Sequence, residues 1–227
     1  MNSQIVRHAY SEFLGTFALV FIGGGAIMSA AGGNGGLIEV ALAHGLVLGV
    51  LCTVFMPIAA HFNPAVTIGF LFTRRITPSM AGVHIVVQVL GAIAAAAALK
   101  GLYPAAVFAA THGGGQQVST DVSGAQAWGL EAIATFLFMT AIYGTAVDKR
   151  TPNIGGFGIG LTIAFDIMAI GPLTGASMNP ARSFGPAVVY GVYEAQIIYW
   201  TAPIVGAVLG ALAYERLILK TEPGAAT

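Results

Sequence analysis

Two short motifs carry most of the chemistry in this chain. Asn63-Pro64-Ala65 and Asn179-Pro180-Ala181 are identical triplets in the two halves of a 227-residue sequence. Asparagine suits a helix N-cap and proline the first helical turn, so one triplet alone would simply start a helix. Here each opens an apolar piece, 63–73 and 179–190. At 1.5 Å per residue these pieces reach about 15–18 Å, half of a bilayer. Irregular backbone at that depth must be buried in protein or line a water-filled cavity. If the two helix N-termini meet near the midplane, each amide oxygen can cap its own helix and each NH2 can face a lumen. Two fixed donors would then hold a passing water by its oxygen. Two positive helix ends would repel cations, hydronium included.

Such stubs need a membrane-embedded frame, and the composition supplies one. Hydrophobic residues make up 56% of the chain and charged residues only 8%, against about 25% charged in soluble domains. Nine basic and nine acidic residues cancel, so there is no electrostatic footprint for nucleic acid. Cys52 is the single cysteine, which excludes an intrachain disulfide framework and a cysteine-built metal site. Six stretches are long enough to cross a bilayer: roughly 9–31, 38–58, 80–103, 126–148, 154–172 and 195–219. Arg7 ahead of an apolar run, with Ser29-Ala30-Ala31 after it, has the look of a signal peptide. Glu12 interrupts that run and the pattern recurs in the fourth span, so the first span is expected to stay.

The spans fall into two matching sets. Glu12-x-x-x-Thr16-Phe17 returns as Glu131-x-x-x-Thr135-Phe136, and Gln88-x-x-Gly91 is answered by Pro203-x-x-Gly206. The expectation is one channel-like domain over 1–227, with internal repeats of about 1–112 and 125–227 and an extracellular linker at 113–124. Three spans per repeat is an odd number, so the second copy is inverted, and sites in such folds sit where broken helices meet. The fold class is therefore an all-α membrane protein: six transmembrane helices plus two re-entrant half-helices in an inverted two-fold repeat. Arg7, Arg74, Arg75, Lys149, Arg150, Arg216 and Lys220 then share one side, with Lys100 opposite. Basic loops stay inside, which places both termini in the cytoplasm. A plasma (inner) membrane location is expected.

His61-Phe-Asn-Pro-Ala-Val-Thr-Ile-Gly69 and Ser177-Met-Asn-Pro-Ala-Arg-Ser-Phe-Gly-Pro-Ala187 resemble the two signature segments of the aquaporins, or major intrinsic proteins, over nearly the whole chain. The resemblance implies a homotetramer with one pore per subunit and passive flow of water and small neutral solutes. It also implies a second constriction, a selectivity ring, at His44, Ile167, Ala176 and Arg182. Arg182 lies three residues past Asn179, on the same helical face. As a headgroup-snorkelling anchor it would sit too deep, and intramembrane charges usually face a cavity. Pore-facing carbonyls are expected from Ala59, Ala60, His61 and Phe62 and from Gly175, Ala176 and Ser177. The usual residues before the first motif are shortened here to Ile58-Ala59-Ala60.

The ring set resembles plant vacuolar-type aquaporins, which extends the implied solutes from water to ammonia, urea or glycerol. Ser183, Ala187 and Tyr199-Trp200 instead match water-type members, so water comes first. Glu12 and Glu131, by the same resemblance, tie down the re-entrant loops. Asp166 has three open readings: partner for Arg182 or His44, partner for an extracellular-loop group, or a structural tie to another helix. His112 either approaches the ring or is a solvated loop residue. Competing functions are a secondary active transporter, which would need a midplane ion-coupling site, and a non-conducting structural membrane protein. No nucleophile–base pair, metal spacing or phosphate loop marks an enzyme, and no cofactor is expected.

Overall fold

The computed structural model describes residues 3–219, and every element of regular structure among them is a helix. Lys220, counted above with the inward basic residues, lies outside that range. Six helices are long and apolar enough to span a bilayer: α1 (Ser3–Ala31), α2 (Leu37–Phe55), α4 (Pro78–Leu102), α6 (Gly124–Ile142), α7 (Phe157–Thr174) and α9 (Gln196–Tyr214). Two half-length helices, α3 (Pro64–Phe72) and α8 (Pro180–Tyr190), lie between them, and a short α5 (Ala105–Ala110) follows α4. Two helices of the second half, α6 and α9, extend through π-helical turns at Tyr143–Val147 and Glu215–Leu219.

Local chemistry fixes where the half-helices begin. Asn63 Oδ1 accepts the Ala65 backbone N–H at 2.8 Å, and Asn179 Oδ1 accepts from Ala181 and Arg182 at 3.1 and 3.2 Å. Both asparagines are in extended conformation with proline next, so the unmatched N–H groups of each first turn are capped as a helix start requires. α8 stops at Gly191, whose φ of 90° lies in the left-handed region that glycine enters without penalty. α6 opens on a capping box in which Ser123 and Gln126 bond each other's backbone amides.

The long helices pair as α1 with α4, α6 with α9, and α2 with α7. Small residues set these approaches. Gly45 and Gly49 of α2 face Gly160 and Gly156 of α7 backbone to backbone, and a Cβ on Gly160 would collide with the Gly45 carbonyl. Gly91 sits on the Phe13 carbonyl of α1 as Gly206 sits on the Ala132 carbonyl of α6. Such contacts substitute close van der Waals packing for the hydrophobic drive that lipid removes. Outer faces stay apolar and exposed: Leu42, Leu46, Val50 and Val54 form one stripe along α2, and Leu161, Phe165 and Met168 line α7. A stripe of that kind matches a lipid or protein neighbour rather than water.

The basic residues cluster where the ends of three helices meet. Arg75, just past α3, pairs with Glu215 at 2.9 Å and lies over the Tyr143 ring. Arg150 bonds Asp148 through both guanidinium and backbone nitrogens and reaches the Ile218 carbonyl. The opposite end carries the connection between the halves, expected as a linker over 113–124. α5 and a 3-10 turn at His112–Gly114 come first, and Gly113 and Gly114 are buried, with Gly114 against Gly24 of α1.

Candidate functional site

The two half-helices meet tip to tip, and they are stitched together across the meeting point. Asn63 Nδ2 donates to the Met178 carbonyl at 2.8 Å, and Asn179 Nδ2 donates to the Phe62 carbonyl at 2.9 Å. Each NH2 has two hydrogens, so each asparagine commits one to the opposite loop and retains one. This refines the expectation that the whole NH2 faces a lumen. It also gives the Phe62 carbonyl an established partner, where an open pore-facing role was expected.

Buried carboxylates hold both loops in place. Glu12 Oε1 accepts the His61 N–H at 2.8 Å, while Oε2 accepts the Phe62 N–H and Gln88 Nε2 at 2.7 Å each. Glu131 repeats the arrangement: Oε1 accepts Ser177 N and Thr174 Oγ1 at 2.8 Å each, and Oε2 accepts Met178 N at 2.7 Å. Phe62, Ala176 and Met178 adopt positive φ values of 50°, 47° and 49°. These conformations are costly for side-chain-bearing residues and persist only where the surroundings enforce them. The two glutamates are those surroundings.

His44, Ile167, Ala176 and Arg182 line one narrow cavity together with Asn63 and Asn179. Its free volume is about 20 Å³, room for roughly one water. Arg182 is 2% exposed. Its Nε and Nη2 lie 3.3 and 3.2 Å from His44 Nε2. His44 Nδ1 lies 2.8 Å from the Val40 carbonyl, which can only accept, so Nδ1 carries the proton and Nε2 offers a lone pair to Arg182. Gln116 closes the other side: with its amide oxygen toward the guanidinium it accepts from Nε, Nη1 and Nη2 at 3.0–3.2 Å. Among the described residues no carboxylate pairs with Arg182, so its charge stays uncompensated beside the cavity.

The remaining expectations divide. His61, Phe62, Ala176 and Ser177 border this cavity, while Ala59, Ala60 and His61 border a wider vestibule toward the basic end. Gly175 packs against Gln116 instead. His112 does not reach the ring; its ring packs edge-on against Tyr190, and it borders a separate outer pocket. The loop residue that does reach Arg182 is Gln116, four positions later, which sequence reasoning passed over as linker. Asp166 is buried, and neither Arg182, His44 nor a loop group meets it; its Oδ2 has no hydrogen-bond partner among the described residues. Spacing along the chain offered no metal-ligand set, yet the fold brings Glu12, His61 and His84 together, with ligand atoms within 4.8 Å of one another.

A family model described as major intrinsic protein matches residues 1–214. Aquaporin TIP4-4 of Zea mays is 39% identical over 229 residues, covering 96% of this chain and 89% of its own length. Glycerol uptake facilitator protein-like 6 of Lactiplantibacillus plantarum is 40% identical over 210 residues, covering 91% and 95% respectively. Among solved structures, the aquaglyceroporin from Plasmodium falciparum superposes with a TM-score of 0.80 at 26% identity, covering 94% of this chain and 97% of that one. Broken helices capped by paired asparagines and these matches agree: the chain belongs to the major intrinsic protein family.

Proposed function

We propose that water crosses this protein in single file between the vestibule and the His44–Arg182 ring, passing Asn63 and Asn179 on the way. Family membership makes the chain a multi-pass membrane protein and a passive channel for water and small neutral solutes. The observation that carries the detailed reading is the pair of cross-bonded asparagines bordering the same narrow cavity as His44 and Arg182. Each retained N–H is a donor held at fixed position. A water oxygen that accepts from both has no lone pair left for a neighbouring water, so the proton-hopping chain is cut there. The positive helix ends and the uncompensated Arg182 add an electrostatic barrier to cations.

Ile167 and Ala176 contribute an apolar wall to the cavity that His44 and Arg182 also line. That wall supports passage of ammonia, and of urea or glycerol more slowly, through a ring similar to the vacuolar type. The cavity's small volume puts water first. Basic residues at one end support a cytoplasmic placement of both termini, and the exposed apolar stripes on α2 and α7 support a four-chain assembly with one pore in each chain. A transporter would need an ion-coupling carboxylate at the midplane; among the described residues the helix tips there carry amides, and Glu12 and Glu131 lie behind the loops, bonded to their backbone amides.

Stopped-flow light scattering on proteoliposomes tests the reading. Osmotic water flow well above that of protein-free vesicles is expected, without saturation and without dependence on an ion gradient. A proton flux on the scale of the water flux would overturn it.

A further inference from the structure

Behind the first re-entrant loop lies a set of side chains that water conduction leaves unused. His84 Nδ1 of α4 is 3.5 Å from Glu12 Oε1 of α1 and 3.4 Å from His61 Nδ1 of the loop. Zinc bonds of about 2.0–2.1 Å in a tetrahedron put neighbouring donor atoms about 3.3–3.4 Å apart. These two separations match that spacing before any ion arrives, and the three ligand atoms lie within 4.8 Å of one another. The geometry points to a binding site for a zinc-class divalent cation, held by Glu12, His61 and His84 at the wall of the vestibule.

Supports around the three ligands favour binding. His84 Nε2 lies 3.0 Å from His8 Nδ1, so the ring nitrogen away from the ion can be hydrogen-bonded, as ligating histidines usually are. The His61 ring stacks on Phe70 with centroids 4.6 Å apart. Glu12 is fixed by two backbone amides and Gln88; Oε2 accepts two of these bonds, while Oε1, the oxygen 3.5 Å from His84 Nδ1, accepts one and retains a lone pair. Binding would release the His61 Nδ1 contact with Thr67 Oγ1 at 3.1 Å; Thr67 keeps its bonds to the Asn63 carbonyl and Gln88. His8, His61 and His84 all border the vestibule cavity, which gives the ion a path in and a water for its fourth position. Two imidazoles and one carboxylate suit zinc and its transition-metal neighbours; magnesium and calcium prefer all-oxygen shells. An ion here would place positive charge and a bound water against His61, at the mouth of the narrow cavity, and so slow water passage.

The test uses the full chain with ZnCl2 as probe. Equilibrium dialysis with metal analysis should find one zinc per chain, undisturbed by excess magnesium. His84→Gln should weaken binding at least 10-fold. His8→Ala, at the half-exposed edge of the cluster, should weaken it less, by up to about 10-fold; it keeps the test valid if His84→Gln folds poorly by size-exclusion profile. In proteoliposomes, saturating zinc should cut water permeability several-fold in the wild type and not in His84→Gln. The binding measurement stands apart from the conduction reading, and only the flow measurement rests on it. Equal zinc affinity in the wild type and both variants, displacement by magnesium, or unchanged flow at full zinc occupancy would overturn the proposal.

Discussion

Arg182 meets His44 on one side and Gln116 on the other, and these two contacts hold the guanidinium beside the cavity. Ile167→His would add a polar ring to the apolar wall and narrow the passage. Glycerol and ammonia flux should then fall while water flux persists; stopped-flow runs with each solute check this, and equal loss of all would count against the ring. Gln116→Leu strips a buried guanidinium of an acceptor for three nitrogens. His44 still accepts from Nε and Nη2, but Nη1 is left without an acceptor; an unpaired buried donor costs about 1–3 kcal/mol, which should appear as a lower melting temperature in detergent. Arg182 was legible in the sequence through its helical spacing from Asn179, whereas His44 entered through the family resemblance, with which its place near the start of a span agrees. Gln116 was not legible: it reaches Arg182 from a loop, and loop residues carry no period that tells which way a side chain turns. Asp166 was legible as an oddity, and its three readings reduce to a buried carboxylate facing none of the expected partners.

At the scale of elements, the half-helices were readable because length and an Asn-Pro start are both written locally. α5 was missed: six residues make too little pattern to separate from a loop. The Glu12–His61–His84 grouping was hidden too, since its members come from three segments that only packing brings together. Glu131 braces one loop with three accepted hydrogen bonds. Glu131→Ala leaves two buried backbone amides unmatched, at about 1–3 kcal/mol each, and frees residues held at positive φ. A large drop in melting temperature together with loss of water flow is the expected result. Gly160→Leu should separate α2 from α7 and reduce folded yield, judged by size-exclusion profile. The tie at the basic end behaves differently with pH. Arg150 holds the Asp148 carboxyl below the usual aspartate range through side-chain and backbone hydrogen bonds. A lowered pKa gives stability that is present above the unfolded value, about 3.9, and is lost as pH falls through the folded one. The melting difference between wild type and Asp148→Asn should stay constant from about pH 8 to about pH 5 and shrink only below about pH 4.

For the whole molecule, six apolar spans and an inverted arrangement followed from composition and repeated motifs. What no motif could announce is how each half completes the other. Exposed stripes on α2 and α7 lead to a further expectation: native mass spectrometry from mild detergent should show a four-chain species, and charged residues at Leu46 and Phe165 should shift it toward single chains. The cross-stitching at the midplane has a consequence for biogenesis. Met178, which accepts from Asn63, is 115 residues further along, and Asn179 reaches back 117 residues to Phe62. A ribosome therefore releases the first hook long before its eye exists. Until the later one arrives to lock it, the early loop has only the contacts of its own half, among them its two bonds to Glu12.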